Sequence, residues 1–425
     1  MLERFRRETG FDGKEELLAS LTTLISGIVL FVFTYRMAFR FEAEPVVAVL
    51  VTLAMYGYSF LLIAGGLSGG FNGYDRFVAY SGVLLLVLFV GMVSMPQLAD
   101  FHYRTDSVLY TRYSVDLVLE GKNPYRYSMH EAFNEINRSG PKAATPRIDG
   151  SMVDTFSYPA GTLYAFIPQV VLGVPNIRLT LLPFLAAVFV FLFYESPDYL
   201  VLAPFSFFFV APAVLDRTLH GFTGVLWLLP LLLSMKYWKS GRLRASMVFL
   251  GLSFSVKQIP WSIAFFLAVW IYRESDGLAD YLRRLKVPVL YGGGTFLLLN
   301  APFIVTGPLA WLRGVMDPVA LGTSLVSGGI GLTALGQNTV QAVPKQFFGF
   351  AMAAFLFFSL FAYWLYFERA KWIAWMMPGF LLWFSYRFYE NYFVFFIPAA
   401  YYALLLKTDI DRGGEILERY HDWRG

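Results

Sequence analysis

Residues 17–35 read LLASLTTLISGIVLFVFTY and residues 46–64 read VVAVLVTLAMYGYSFLLIA, without a charged side chain in either run. A helix needs about 20 predominantly apolar residues to cross the hydrocarbon core of a bilayer. Comparable runs recur along a chain of 425 residues that has a mean hydropathy of +0.54 and only 15% charged residues. Soluble domains carry about 25% charged residues. The composition therefore predicts an all-α, polytopic membrane protein.

The apolar runs predict a transmembrane helical bundle of about 11–13 spans. The candidate spans are 17–35, 46–64, 77–95, 158–173, 176–194, 198–212, 219–237, 245–258, 260–272, 288–304, 346–367, 371–386 and 390–407. We expect one candidate between 158 and 212 not to cross fully, and the short runs 158–173 and 198–212 are the two that could be this one. The sequence KQIP at 257–260 predicts a break between two short helices, because proline cannot continue a helix from within.

Basic residues concentrate in short cytoplasmic loops of membrane proteins. The clearest such loop is 236–244, which has four basic and no acidic residues. With this loop in the cytoplasm, the order of the spans predicts that two hydrophilic blocks, 96–157 and 305–345, lie on the outer side. The predicted organisation is a cytoplasmic segment at 1–16, one transmembrane domain at 17–407 and a cytoplasmic tail at 408–425.

Several classes of chemistry lack the residues that they need. The chain has no cysteine, so disulfides and thiolate metal sites are excluded. The formal net charge of +4 gives no reason to expect nucleic acid as a partner. The phosphate-loop, dinucleotide, zinc-protease and esterase motifs do not occur in a usable context.

Two carboxylates open the first hydrophilic block, in the sequence DFHYRTDSVLY at 100–110. Apolar residues and tyrosines over 107–120 predict an interfacial helix that lies on the membrane. Asp106 at its start can act as general base toward a hydroxyl acceptor, and Asp100 is the second candidate. The alternatives are an N-cap role for Asp106 and a solvated surface charge for Asp100.

Three further segments carry candidate residues. Lys257 interrupts the apolar stretch FSVKQIPW and is costly there unless it meets an anion, such as a phosphate, or snorkels to the interface. Tyr158 precedes a proline, and this pair can simply mark re-entry into the membrane. The segment SYRFYENY at 385–392 can bind a sugar or a phosphate. Alternatively, it forms an aromatic belt with a salt bridge between Arg387 and Glu390.

The order of several motifs resembles that of a known family. The motifs are LVLEGKNPY at 117–125, FSYPAGTLY at 156–164, the stretch 219–260 from LHGFTG to SVKQIP, LLNAPFIVTGPLAWLRGVMDP at 298–318 and YRFYENYFVFFIP at 386–398. They resemble the GT-C superfamily of membrane glycosyltransferases, most closely the family 87 type related to polyprenol-phosphate-mannose-dependent mannosyltransferases. The resemblance covers about residues 77–400.

The resemblance implies a polyprenyl-phosphate or dolichol-phosphate sugar as donor and a lipid or glycan acceptor at the outer face of the cell membrane. It assigns the general-base role to Asp106 and contact with the lipid phosphate to Lys257, with Arg387 as a second phosphate ligand. The predicted substrate-binding residues are Tyr110, Tyr158, His220, Glu390 and Asn391. A divalent cation, Mg²⁺ or Mn²⁺, is optional, because cationic side chains can replace it.

Two departures from the family pattern concern these residues. The sequence has Tyr-Pro-Ala at 158–160 where the family has Tyr-Pro-Pro, and His-Gly-Phe-Thr at 220–223 where Gly-Gln-x-Asn is frequent. The second departure bears on the identity of the donor sugar. The alternative functions are a secondary transporter or lipid flippase, and a scaffold subunit of an envelope complex. A transporter predicts broken helices and internal repeats, of which the sequence shows only the break at Pro260.

Overall fold

The computed structural model describes residues 14–38, 45–71, 75–99, 103, 106–137, 145–209, 214–318, 326, 328–334 and 344–410. These residues are predominantly helical, which confirms the all-α prediction. The chain divides into two units. The first contains Met1–Phe101 and Leu185–Leu219, and the second contains His102–Phe184 and His220–Gly425.

The α-helices of the described residues are numbered in chain order. They are α1 (Lys14–Ala38), α2 (Pro45–Leu67), α3 (Asp75–Ala99), α4 (Asp106–Leu119), α5 (Gly161–Val171), α6 (Leu181–Glu195), α7 (Ala203–Phe209), α8 (Val214–Leu219), α9 (Gly224–Lys239), α10 (Leu243–Val256), α11 (Ile263–Arg273), α12 (Leu278–Val287), α13 (Gly294–Thr306), α14 (Pro308–Met316), α15 (Lys345–Leu365), α16 (Phe367–Ala370), α17 (Met377–Leu382), α18 (Glu390–Val394) and α19 (Phe396–Ile410). Two short strands, β1 (Gly328–Gly329) and β2 (Arg387–Phe388), pair in parallel.

Five helices are long and apolar enough to cross a membrane, so the chain is a membrane protein. They are Glu16–Arg36, Val46–Leu67, Ile177–Glu195, Leu278–Thr306 and Gln346–Leu365. The two short runs, one of which we expected not to cross, contain α5, with 11 residues, and α7, with 7 residues. At 1.5 Å per residue these helices span about 16 Å and 10 Å, well short of the roughly 30 Å hydrocarbon core.

The helix Leu278–Thr306 begins earlier than the predicted span 288–304. Its charged first part, α12, continues through a π-helical turn at Pro288–Gly293 into the apolar α13. A π-helical turn absorbs the missing N–H of a proline without ending the helix. The basic residues Arg283, Arg284 and Lys286 therefore lie on a helix.

In the first unit, α1 and α2 pack closely at two glycines. A Cβ atom on Gly27 would lie 2.8 Å from the backbone nitrogen of Ile63, and one on Gly66 would lie 2.5 Å from that of Leu24. Small residues allow such close contact between helices in membranes, where packing and hydrogen bonds replace the hydrophobic driving force.

In the second unit, α9 and α10 form an antiparallel pair that supports the candidate site. The hydroxyl of Ser253 donates a hydrogen bond to the carbonyl of Trp227 at 2.9 Å, and Ser246 donates to the carbonyl of Ser234 at 2.8 Å. Both hydroxyls are buried, and each donates to a backbone carbonyl of the facing helix. Helix α10 therefore ends in a fixed place, with Lys257 directly after it.

Helix α4 also belongs to the core of the second unit. Val108, Leu109 and Val115 are at most 1% exposed, because other parts of the protein cover them. The helix begins at Asp106 and ends before Gly121, close to the predicted bounds. Protein covers most of its apolar side chains, although Leu119 is 48% exposed. Its location at the membrane surface stays a prediction.

Candidate functional site

The carboxylate of Asp106 is held by one residue from a distant loop. Its Oδ2 atom accepts hydrogen bonds from the backbone N–H of Thr145 at 2.9 Å and from the Thr145 hydroxyl at 2.6 Å. Within the described ranges, Oδ1 has no hydrogen-bond partner. The hydrogen bonds to Oδ2 therefore hold the carboxylate in place, and Oδ1 is available to a further ligand.

Tyr110 supports the loop that carries Thr145. The phenol of Tyr110 donates a hydrogen bond to the carbonyl of Val153 at 2.5 Å, and the N–H of Val153 donates to the carbonyl of Thr145 at 2.9 Å. Burial and the negative charges of Asp106 and Asp154 raise the pKa of Tyr110 above its usual value. The phenol therefore remains a donor at physiological pH. Contact of Tyr110 with substrate stays a prediction.

Lys257 lies in a buried, aromatic position at the predicted helix break. Helix α10 ends at Val256, and Lys257 is extended, with φ −154° and ψ 153°. Its Nζ atom lies 4.9 Å from the ring centroid of Tyr158 and 5.7 Å from that of Tyr392. The residue is 7% exposed, and in the part of the chain that the structure describes no carboxylate lies within 4.0 Å of its ammonium group. Asp106 is near enough to interact with it electrostatically.

The turn that carries Tyr158 is fixed on both sides. The phenol of Tyr125 donates to the Tyr158 carbonyl at 2.6 Å, and the side chain of Gln258 donates to the preceding carbonyl at 2.7 Å. After the turn, the N–H of Ala160 donates to Oδ1 of Asn300 at 2.9 Å. The Tyr158 ring is thus held next to Lys257 by backbone contacts, which is a more specific role than marking re-entry into the membrane.

Arg387 reaches the same site from the C-terminal part of the chain. Its Nη2 atom donates to the hydroxyl of Thr145 at 3.1 Å, and its guanidinium carbon lies 5.2 Å from the ring centroid of Tyr389. The strand pair β1–β2 places Gly328 opposite Arg387. At Gly329, where φ is +119°, a Cβ atom would lie 1.7 Å from the carbonyl oxygen of Phe388, so this contact requires glycine.

The other predicted residues have different outcomes. Asn391 is buried at 7% exposure on α18, and Glu390 is the partly exposed first residue of that helix. His220 follows α8, next to Gly221, whose backbone packs against Val108 of α4. Their contacts with substrate stay predictions. Asp100 lies outside the described residues.

Neither Thr145 nor Tyr392 was singled out from the sequence as a site residue. A lone threonine before a proline carries no motif, and Tyr392 was one aromatic among several in its segment. Ser107 was also missed. Its hydroxyl is buried next to Asp106 without a hydrogen-bond partner among the described residues. Contacts with distant residues identify Thr145 and Tyr392, and a buried polar atom identifies Ser107; no pattern of residue types signals any of the three.

No family model, curated protein or solved structure matches the chain. The chemical interpretation of the site therefore depends on its own geometry.

The site contains two cations and one carboxylate from three separate segments of the second unit. Lys257 and Arg387 bring two positive charges, and Asp106 brings one negative charge. The excess positive charge suits an anionic ligand, and the aromatic walls of Tyr158 and Tyr392 suit an apolar or sugar-like neighbour. Among the described residues, no group of three or more His, Asp or Glu side chains could hold a metal ion. Metal dependence stays a prediction.

Proposed function

We propose that this chain is a multi-pass, GT-C-like glycosyltransferase of the cell membrane. It transfers a sugar, with mannose favoured, from a polyprenyl-phosphate donor to a lipid or glycan acceptor at the outer face. The observation that carries the proposal is the position of Lys257. A buried ammonium group between two tyrosine rings, without a carboxylate partner in the described residues, is best explained by an anionic ligand such as a phosphate.

The reaction consistent with this arrangement is a single inverting displacement. The acceptor hydroxyl gives its proton to Oδ1 of Asp106 as its oxygen forms a bond to the anomeric carbon of the donor. The bond between that carbon and the phosphate oxygen breaks, and its electron pair stays with the polyprenyl phosphate. Lys257 and Arg387 stabilise the charge that develops on this leaving group.

The membrane explains why these groups are gathered at one place. A polyprenyl chain cannot leave the hydrocarbon core, so its phosphate must be met at the membrane boundary. The bundle of about 11–13 spans would provide a lateral opening toward the lipid and an aqueous opening toward the acceptor. Membrane lipids are therefore expected partners, and nucleic acid is not.

The test is transfer of radiolabelled mannose from polyprenyl-phosphate-mannose to membrane lipids and glycans, with purified wild type, Asp106→Asn and Asp149→Asn. Asp149 is an exposed carboxylate on the same hydrophilic block and bonds only locally to Ser151 in the described structure. We expect product with wild type and Asp149→Asn. We expect Asp106→Asn to lose at least about 100-fold in rate, as when a general base is removed.

Equal rates for wild type and folded Asp106→Asn would exclude Asp106 as the base and turn attention to Asp100. A wild-type protein that moves labelled polyprenyl lipid across vesicles without transferring sugar would favour the flippase alternative.

A further inference from the structure

We infer that Thr145 is a positioning residue that couples the base Asp106 to the cation Arg387. This inference rests on the proposed function for its catalytic consequence. The Thr145 hydroxyl has one proton, which it donates to Oδ2 of Asp106 at 2.6 Å. The same oxygen accepts a hydrogen bond from Nη2 of Arg387 at 3.1 Å. The chain of donors thus runs from Arg387 through Thr145 to Asp106.

The contacts with Thr145 fix both the position and the orientation of the Asp106 carboxylate. The backbone N–H of Thr145 donates to the same Oδ2 atom at 2.9 Å, so two donors from one residue hold one oxygen. Oδ1 then has a defined direction toward an acceptor hydroxyl. Misplacing a reacting group by about 1 Å can cost about 100-fold in rate. Hydrogen bonds in such a chain also polarise one another, which strengthens each of them.

Three contacts hold the segment that contains Thr145. The N–H of Val153 donates to the Thr145 carbonyl at 2.9 Å. Arg147, two residues further on, forms an ion pair with Asp317 at 2.9 Å. The N–H of Val326 donates to the carbonyl of the proline after Thr145 at 3.0 Å. The position of Thr145 therefore does not depend on the hydrogen bonds of its own hydroxyl.

The segment that includes Val326 also supports Arg387. The N–H of Gly328 donates to the carbonyl of Tyr386 at 3.2 Å, and the N–H of Ile330 donates to the carbonyl of Phe388 at 2.7 Å. These two bonds flank Arg387 on both sides. The segment with Val326, Gly328 and Ile330 thus contacts the backbone beside Thr145 and the backbone beside Arg387. These contacts account for the alignment of the two side chains.

The first experiment compares Thr145→Val with Thr145→Ser in the sugar-transfer assay. Valine keeps the shape and the backbone N–H but removes the hydroxyl, whereas serine keeps both donors. We expect Thr145→Val to lower kcat about 10- to 100-fold with the donor KM changed less than about threefold. Thr145→Ser should retain kcat within about threefold of wild type. The matched control is Thr111→Val, since the Thr111 hydroxyl is buried and, among the described residues, bonds only to the carbonyl of Ser107 in its own helix.

The second experiment is a double-mutant cycle on thermal unfolding with Thr145→Val, Arg387→Gln and the double variant. Coupled side chains should give a double variant that is more stable than the sum of the single effects predicts. This readout does not require sugar transfer.

The outcomes separate the two proposals. Additive effects in the cycle overturn the coupling. Wild-type kcat in Thr145→Val, or no recovery in Thr145→Ser, overturns the positioning role while the proposed function stands. If wild type transfers no sugar from any polyprenyl-phosphate donor, the proposed function and the catalytic role fail together, and the cycle still decides the coupling.

Discussion

The ammonium nitrogen of Lys257 lies 4.9 Å from the ring centroid of Tyr158. A cation over an aromatic ring gains about 2 kcal/mol when both are desolvated. Removing an ammonium ion from water costs several kcal/mol, even after the protein relaxes. The aromatic contacts therefore do not offset the cost of burying Lys257. Asp106 also attracts the ammonium group, but it lies beyond ion-pair distance in the described structure. A lysine buried in this way is best understood as a group kept for an anion.

This balance leads to opposite predictions for stability and activity in Lys257→Met. Methionine fills a similar volume without charge, so the thermal unfolding midpoint should stay the same or rise. Sugar transfer should fall about 100-fold or more, because the developing charge on the phosphate loses a donor. Thermal unfolding in detergent and initial transfer rates measure the two effects.

The matched control is Lys122→Met. Lys122 lies 5.7 Å from the ring centroid of Tyr127, but it is exposed and forms an ion pair with Glu120 at 2.6 Å. Both the midpoint and the transfer rate should stay near the wild-type values. Wild-type transfer by Lys257→Met would contradict the phosphate role and support the alternative that Lys257 snorkels to the interface.

The parts of the site that could be predicted are those set by local sequence. A proline at 260 ends the preceding helix nearby, so the extended conformation of Lys257 follows from the chain around it. The start of α4 at Asp106 follows from the apolar and tyrosine residues after it. Local signals of this kind need no knowledge of the tertiary structure.

The parts that could not be predicted depend on distant contacts. Thr145 forms hydrogen bonds with Asp106, which is 39 positions away in the sequence, and with Arg387, which is 242 positions away. No periodicity or motif in the sequence predicts contacts between residues so far apart in the chain. The burial of α4 could not be predicted for the same reason, because amphipathic character does not distinguish a helix covered by lipid from one covered by protein.

Asn300 provides a second test, of the turn that carries Tyr158. Its Oδ1 atom accepts from the N–H of Ala160 at 2.9 Å and from the indole N–H of Trp311 at 3.0 Å, and the residue is fully buried. Asn300→Leu would leave the buried N–H of Ala160 and the part-buried indole N–H of Trp311 without this acceptor. Loss of the acceptor for the buried donor costs about 1–3 kcal/mol. We expect a lower unfolding midpoint and, because the Tyr158 ring loosens over Lys257, a higher donor KM.

Asn134→Leu is the control for Asn300→Leu. The amide of Asn134 is exposed and bonds only to Glu131 in the described structure, so its loss should leave the unfolding midpoint and the donor KM unchanged. An Asn300→Leu variant with both the midpoint and the KM of wild type would show that the turn does not depend on this acceptor.

The third prediction concerns the pH dependence of stability in Tyr110→Phe. The hydrogen bond from Tyr110 to Val153 should contribute about 1 kcal/mol to the free energy of unfolding. Burial, followed by the charges of Asp106 and Asp154, raises the pKa of Tyr110 in the folded state. In the unfolded chain, tyrosine ionises near pH 10. Below that pH the phenol is protonated in both states, so the difference between wild type and Tyr110→Phe should be constant.

Above about pH 10 the unfolded wild type loses a proton that the folded protein retains, which favours unfolding. The stability advantage of wild type over Tyr110→Phe should therefore shrink as the pH rises toward the folded-state pKa. Unfolding midpoints of both proteins at pH 8, 9, 10 and 11 would show this narrowing. The control Tyr127→Phe, at an exposed tyrosine, should show little change in its difference from wild type. A difference for Tyr110→Phe that stays constant or widens above pH 10 would mean that the buried phenol ionises as easily as an exposed one, and Tyr110 would then not be the fixed donor that holds the Thr145 loop.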